Sequence, residues 1–263
     1  MTRLSDLANA HPVIGKRWSQ DQPPEQARIL GLARDALDFI FATGQRYGFE
    51  DFFKRPDSRR PPPRSDNAGQ REFMDRTKRF FEKLRDEPES AEEAAQSQAI
   101  LDAIRYIEST GQQDAFAAFQ EHVEANAPPY VVASFDTRED AEAWLASHPH
   151  PPDPANVLIA NEYHDVFHDR ETNLRRLPRN RALKWYLAEL EQKERPVAVA
   201  SFERREEADA WWRAQAEPAR RAWVRVGGEL HLAVYYPNIH HRALFPLSMS
   251  NGQEEVRRKS PPG

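Results

Sequence analysis

Apolar residues in the first half of the chain recur at steps of three and four. Ala27, Leu30, Ala33, Leu37, Ile40 and Phe41 form one such stripe, the spacing that gathers side chains on one face of an α-helix. Pro23-Pro24-Glu25 supplies a helix start and Gly44 an end. A short segment, Phe49-Glu50-Asp51-Phe52-Phe53, follows it. From Pro56 through Arg59-Arg60-Pro61-Pro62-Pro63-Arg64 the composition is that of an exposed polyproline linker, placed at 56–66. Helix is expected again from about Gln70 to Leu84, with Phe73, Thr77, Phe80, Phe81 and Leu84 on one face. Ser90-Ala91-Glu92-Glu93 reads as a capping box that opens a further helix to about Ser109.

From Pro129 the period changes. Tyr130 to Phe135 reads as a β-branched and aromatic strand, and Thr137-Arg138-Glu139-Asp140 opens an amphipathic helix with Ala141, Trp144 and Leu145 inward. His148 to Pro154 is a loop, and two more strands follow it. In the later part of the chain their equivalents are Ala222 to Val226 and Glu229 to Tyr236, joined by Gly227-Gly228, a strong hairpin signal. Ala160-Asn161 occupies the earlier turn and is a weaker signal.

These segments repeat. Val132-Ala133-Ser134-Phe135 with Arg138-Glu139 returns 67 residues later as Val199-Ala200-Ser201-Phe202 with Arg205-Glu206, and Trp144, Val157, Glu162, His164, Arg175 and Leu177 return as Trp211, Val224, Glu229, His231, Arg242 and Leu244. A second duplication has the same offset. Asp35-Ala36, Ile40, Thr43-Gly44-Gln45, Phe49 and Phe52 recur as Asp102-Ala103, Ile107, Thr110-Gly111-Gln112, Phe116 and Phe119. A spacing used twice marks what the fold requires. The reading is an α+β protein. A helical domain, 1–127, is built of duplicated helical hairpins. A tandem βαββ duplication, 128–247, comprises units 129–177 and 196–244 and a linking helix 180–192. The two βαββ units are expected to join into one antiparallel or mixed sheet about a pseudo-two-fold, with helices on one face. The polar tail, 248–263, is expected to be disordered.

Composition narrows the chemistry. The 263 residues include no cysteine, which excludes disulfides, thiolate metal sites and cysteine nucleophiles. No stretch approaches the roughly 18 apolar residues needed to span a bilayer, and the N-terminus lacks an apolar signal core. A soluble cytoplasmic protein is expected, with no membrane association. The net charge of −5 gives no drive toward phosphate backbones, although Arg170 to Lys184 is locally basic, so nucleic acid is not an expected partner.

The repeated Glu-x-His is the sharpest candidate for chemistry. Glu162 and His164, and Glu229 and His231, each share a strand face, and that face is expected to point away from the repeat's own helix, because Leu230, Leu232, Val234 and Tyr236 read as core. Across a pseudo-two-fold, His164 and His231 could meet in a two-His, two-Glu site, catalytic or metal-binding. The plainer reading is a polar strand face that packs or meets a partner. His164, His168 and Asp169 resemble a ligand cluster, but strand residues four apart are separated by roughly 13 Å, too far for one ion. Arg175 and Arg242 read as salt bridges or as caps on the linking helix, and Asp165, at a core-facing position, as a sign of a frayed edge in the first unit, as a partner of an arginine such as Arg170, or as a contact to a binding partner. His240-His241 reads as loop, Ser134 and Ser201 as packing, Trp144 and Trp211 as core. Glu162, His164, His168, Glu229, His231, Tyr235, Arg175 and Arg242 form the candidate binding set. No phosphate loop, HExxH, GxSxG or dinucleotide fingerprint occurs, and no cofactor is implied.

The strings Val-Ala-Ser-Phe-x-x-Arg-Glu-x-Ala-x-Ala-Trp and Asn173-Leu174-Arg175-Arg176-Leu177-Pro178-Arg179-Asn180-Arg181, with the Thr-Gly-Gln hairpins, resemble a paralogous group of uncharacterised soluble proteins from social soil bacteria. The resemblance covers nearly the whole chain and implies a toxin-immunity type of role, with no catalytic residues assigned. The leading expectation is therefore a non-enzymatic protein-binding protein, an immunity protein that neutralises a toxin by occlusion. A metal-assisted hydrolase or nuclease using the two Glu-x-His pairs is the alternative, and a small-ligand sensor a third.

Overall fold

The computed structural model describes residues 3–19, 21–55, 68–193 and 196–251. The stretch read as a polyproline linker and the tail beyond 251 lie outside them. The class is mixed α+β, and the chain divides into two compact units, Met1–Gln120 with Pro152–Pro154, and Glu121–Pro151 with Ala155–Gly263.

The first unit is built on α1 (Arg3–Ala8), α2 (His11–Arg17), α3 (Pro24–Ala42), α4 (Arg46–Phe52), α5 (Ala68–Asp86), α6 (Ala91–Ser109) and, as far as Gln120, α7 (Gln113–Glu124), whose last turn belongs to the second unit. The short helices α1 and α2 are not foreseen by the sequence reading; they bury Leu7, Ala10, Val13 and Ile14. Helices α3 and α6 obey the 67-residue offset at both ends. The apolar surface of α3 is wider than the single stripe. Ile29, Leu32, Ala36 and Phe39 are buried as well, as expected of a helix surrounded by others.

Gly44 and Gly111 take φ of 71° and 70°, and the next residue's amide returns to a carbonyl in the last turn, Gln45 N to Ile40 O at 2.8 Å and Gln112 N to Ile107 O at 3.0 Å. This is the glycine-based helix stop used twice. The side chains of the two turns then meet: Gln45 Nε2 donates to Gln112 Oε1 at 2.7 Å, and Gln112 Nε2 donates to Gln45 Oε1 at 2.9 Å. The capping box at Ser90 forms, with its Oγ accepting from Glu93 N at 3.1 Å.

The second unit contains β1 (Ala133–Phe135), α8 (Arg138–Ser147), β2 (Ala155–Ile159), β3 (Glu162–Asp169), β4 (Leu174–Arg176), α9 (Ala182–Lys193), β5 (Ala200–Phe202), α10 (Arg205–Ala214), β6 (Arg221–Val226), β7 (Glu229–Tyr236) and β8 (His241–Pro246). Each repeat is therefore βαβββ, one strand longer than expected. His241 opens that extra strand instead of lying in a loop. The repeats do not join into one sheet but form two, ordered β1-β2-β3-β4 and β5-β6-β7-β8, each with one parallel pair and two antiparallel pairs. Register obeys the duplication: Val157 lies opposite His164 as Val224 lies opposite His231, and His168 opposite Arg175 as Tyr235 opposite Arg242. The weak turn Ala160-Asn161 matches Gly227-Gly228 in backbone, with all four residues at positive φ.

One face of each sheet lies under its own helix. Val157, Ile159 and Val166 pack on Ala141 and Leu145 of α8, and Val224, Val226 and Ala233 on Ala208 and Trp212 of α10. The opposite faces share a third cluster, in which Leu158 and Tyr163 of the first sheet meet Leu183, Leu187 and Leu190 of α9 and Leu232, Val234, Tyr236 and Phe245 of the second. Both faces of a sheet are thus satisfied by face packing, which is why no edge pairing between repeats is needed. Leu247 and Met249 add to the same cluster from a 3-10 turn, Leu247–Asn251, and Ser250 Oγ donates to Glu191 at 3.1 Å. Residues 248–251 are therefore ordered structure, not the start of a loose tail.

The repeats are not related by a two-fold. Tyr163 of the first bonds Tyr236 of the second, hydroxyl to hydroxyl at 2.6 Å, whereas the swapped positions carry Leu230 and Asp169. Asn238 Nδ2 donates to Val131 O at 2.8 Å, and the swapped positions carry Glu171 and Ala198. The first repeat offers one surface and the second a different one, a heterologous contact.

Candidate functional site

The register settles where the Glu-x-His pairs lie. Residues directly opposite on neighbouring strands share a face, so His164, opposite Val157, sits under α8, and His231, opposite Val224, sits under α10. This reverses the expectation that the Glu/His face points away from the repeat's own helix. The apolar run on β7 suggested otherwise because it is buried just as deeply, against α9 and the other sheet. The two histidines consequently occupy opposite sides of the shared cluster and do not meet.

Each histidine is used structurally. They are 4% and 6% exposed, and each Nδ1 donates to the carbonyl two residues earlier, His164 to Glu162 O at 3.1 Å and His231 to Glu229 O at 3.3 Å. Glu162 forms an ion pair with Arg179. Glu229 accepts from Ser248 N at 3.1 Å, and the Ser248 hydroxyl and amide hold its carboxyl below the usual carboxylate range. His168 is buried opposite Arg175. Among the described residues no three His, Asp or Glu side chains converge where a metal ion could be held.

The arginines have assignable work. Arg175 Nη1 donates to Leu145 O, Ala146 O and His148 O at 2.6, 2.8 and 3.1 Å, closing the end of α8. Arg242 Nη2 does the same for α10 through Gln215 O at 2.9 Å, and its guanidinium lies over the Tyr235 ring at 4.9 Å. They cap the repeat's own helix and not the linking helix. The last carbonyls of a helix lack intrahelical donors, and a fixed cation satisfies them. Asp165 accepts from Asn180 Nδ2 at 2.5 Å, and the same nitrogen donates to Asn156 Oδ1 of β2 at 2.8 Å, so the side chain that Asp165 meets is Asn180, just ahead of α9.

What the duplication leaves unequal is the approach to the first strand. On the inner side the copies agree: Val132 N donates to Asn156 O at 2.9 Å and Val199 N to Trp223 O at 2.8 Å. On the outer side they differ. In the first repeat Val131 O is taken by Asn238, Ser134 Oγ lies 3.5 Å from His241 Nε2, and the Tyr130 ring meets His122 edge-on at 5.2 Å. In the second, no hydrogen bond reaches Ala198 among the described residues, Ser201 is exposed, and Val197 and Val199 are 79% and 65% exposed. Two valines at alternate positions beside a sheet edge are thus left bare to solvent. Ser201 is thus not packed inside, contrary to expectation. Comparing Tyr130 and Val132 with Val197 and Val199 in the sequence could have raised the question; only the fold shows that one pair is covered.

No helix among the described residues is long and apolar enough to cross a membrane. Comparison of the chain with protein-family models, with curated proteins and with solved structures returns no match.

Proposed function

We propose that this chain is a non-enzymatic protein-binding protein of the cytoplasm that takes an extended segment of a protein partner beside β5. One observation carries the reading: the outer side of the 197–201 segment is bare where its 67-residue counterpart is covered by the rest of the same unit. Backbone groups at a sheet edge supply affinity for an added strand, and alternate side chains such as Val197 and Val199 supply the apolar contact. With 37 basic and 42 acidic residues the chain favours a protein over a nucleic acid as partner. An immunity protein that occludes a toxin is the specific form of this role implied by the resemblance of its repeats.

The test is site-specific photocrosslinking in the native host from position 199, with position 139 on the exposed start of α8 as control. A single protein crosslinked from 199 and not from 139, and no longer crosslinked when Val197→Asp is added to the chain that carries the crosslinker at 199, is the expected outcome. Equal crosslinking from both positions, or none from 199, would sink the reading.

A further inference from the structure

The two repeats part company where each leaves its last strand. In the second, the chain enters the 3-10 turn Leu247–Asn251, and Ser248 N donates to the Glu229 carboxylate at 3.1 Å, so the start of that turn holds an anion. The counterparts 67 residues earlier are Arg181, at the start of α9, and Glu162. Glu162 is drawn instead to Arg179. Ala182 N is satisfied by Asn180 Oδ1 at 2.5 Å, but the amides of Arg181, Leu183 and Lys184 have no partner among the described residues. The first repeat thus keeps the donors and lacks the anion.

At that place lies a cavity of about 380 Å³, walled by Glu162, Arg179, Arg181 and Lys184 over the buried Tyr163 and Leu183. Its charge is unbalanced. Arg179 is taken up by Glu162, whereas the Arg181 and Lys184 side chains make no hydrogen bond or ion pair among the described residues. They stand three apart, on one flank of α9 beside the face that buries Leu183, Leu187 and Leu190. Both also oppose the helix. The first turn of a helix carries partial positive charge and favours acids; α8 and α10 begin with Glu139-Asp140 and Glu206-Glu207, but the first turn of α9 holds no acid. Cations placed there cost stability unless an anion joins them.

We propose that this cavity binds an oxyanion of the phosphate class, free or carried by a small molecule. Arg181 and Lys184 supply two charges to match a dianion, and the uncapped amides supply further hydrogen bonds. A single carboxylate would leave one of the cations unmatched. The lining includes no residue of β5 or of the segment before it, so this site is separate from the β5 edge.

Titration of the full chain with inorganic phosphate and with glycerol phosphate, followed at the amide resonances of Leu183 and Lys184, tests the assignment. Saturable one-to-one shifts are expected at low salt, with a dissociation constant at or below about 1 mM. Tighter binding of the ester assigns the site to a phosphorylated small molecule, and equal or weaker binding of the ester to phosphate itself. Arg181→Ala with Lys184→Ala should weaken binding about tenfold. Lys193→Ala with Arg213→Ala, an equal loss of charge in the last turns of α9 and α10, should leave it unchanged. Arg181→Gln alone should weaken binding as well, and carries the test if the double variant does not fold. No saturable shift, binding that survives these substitutions at Arg181 and Lys184, or an equal loss in the control pair overturns the proposal.

Discussion

Single residues carry the clearest signals of the duplication, and Gly44 carries the most. Its φ of +71° lies where a side chain is strained, and a methyl group there would fall 2.3 Å from Pro152 Cβ and 2.7 Å from Asp153 N. Asp153 N donates to Gly44 O at 2.9 Å, so the loop cannot simply withdraw. Gly44→Ala should lower the stability of the helical unit by about 1–3 kcal/mol, read from the urea midpoint; an unchanged midpoint would show that the loop gives way. The Thr-Gly-Gln strings were legible as helix stops because a left-handed cap is a local backbone requirement. That Gln45 and Gln112 bond each other was not, because nothing local states which turn approaches which.

At the scale of elements, the hairpin turns show where one copy departs from the better local choice. Ala160 takes φ of 49° where Gly227 takes 56°. An alanine pays conformational strain in the left-handed region that glycine avoids. Ala160→Gly is expected to be neutral or stabilising by up to about 1 kcal/mol, and Gly227→Val destabilising by more than that, both measured by thermal unfolding. The opposite order would mean that the two turns differ in backbone. Periodicity placed most helices and strands, since the 3.6 and 2.0 repeats are local. It missed α1, α2, β4 and β8. The first two are short, and β8 begins beside His240, whose left-handed φ of 49° turns the chain into a strand directly after a 3-10 turn.

For the molecule as a whole, buried histidines set a pH dependence. His122 Nε2 donates to Pro128 O at 2.7 Å while its Nδ1 has no partner, and burial, with the nearby Arg220 in the same direction, holds its pKa below 6.5. Burial lowers His241 as well, against the opposing pull of Asp136. Both are neutral in the fold. Their contribution to stability is complete above the unfolded value near 6.5 and is lost as pH falls below it, because the unfolded chain takes up the protons first. His11, raised by its bond to Asp38, acts in the opposite direction but belongs to the helical unit. Tryptophan fluorescence, with Trp144, Trp185, Trp211, Trp212 and Trp223 all in the strand-rich unit, should therefore report a falling urea midpoint between pH 7.5 and pH 5. His122→Gln should flatten that dependence, and a flat profile in the parent chain would contradict it.

The sequence by itself determined the α+β class, the two duplications, the glycine stops, the capping box and the strands β3 and β7, because each is a local matter of period, cap or turn. Only the tertiary structure decided which face of β7 meets which layer, that the repeats form two sheets in a heterologous contact, and that His164 and His231 stand apart under separate helices. A strand buried on both faces has no single inside, so alternation shows that Glu229 and His231 share a face without showing what lies against it. The same holds for function. The sequence supplied two copies of one unit, and what sets them apart, one covered edge and one bare, comes from the residues that the fold brings to each.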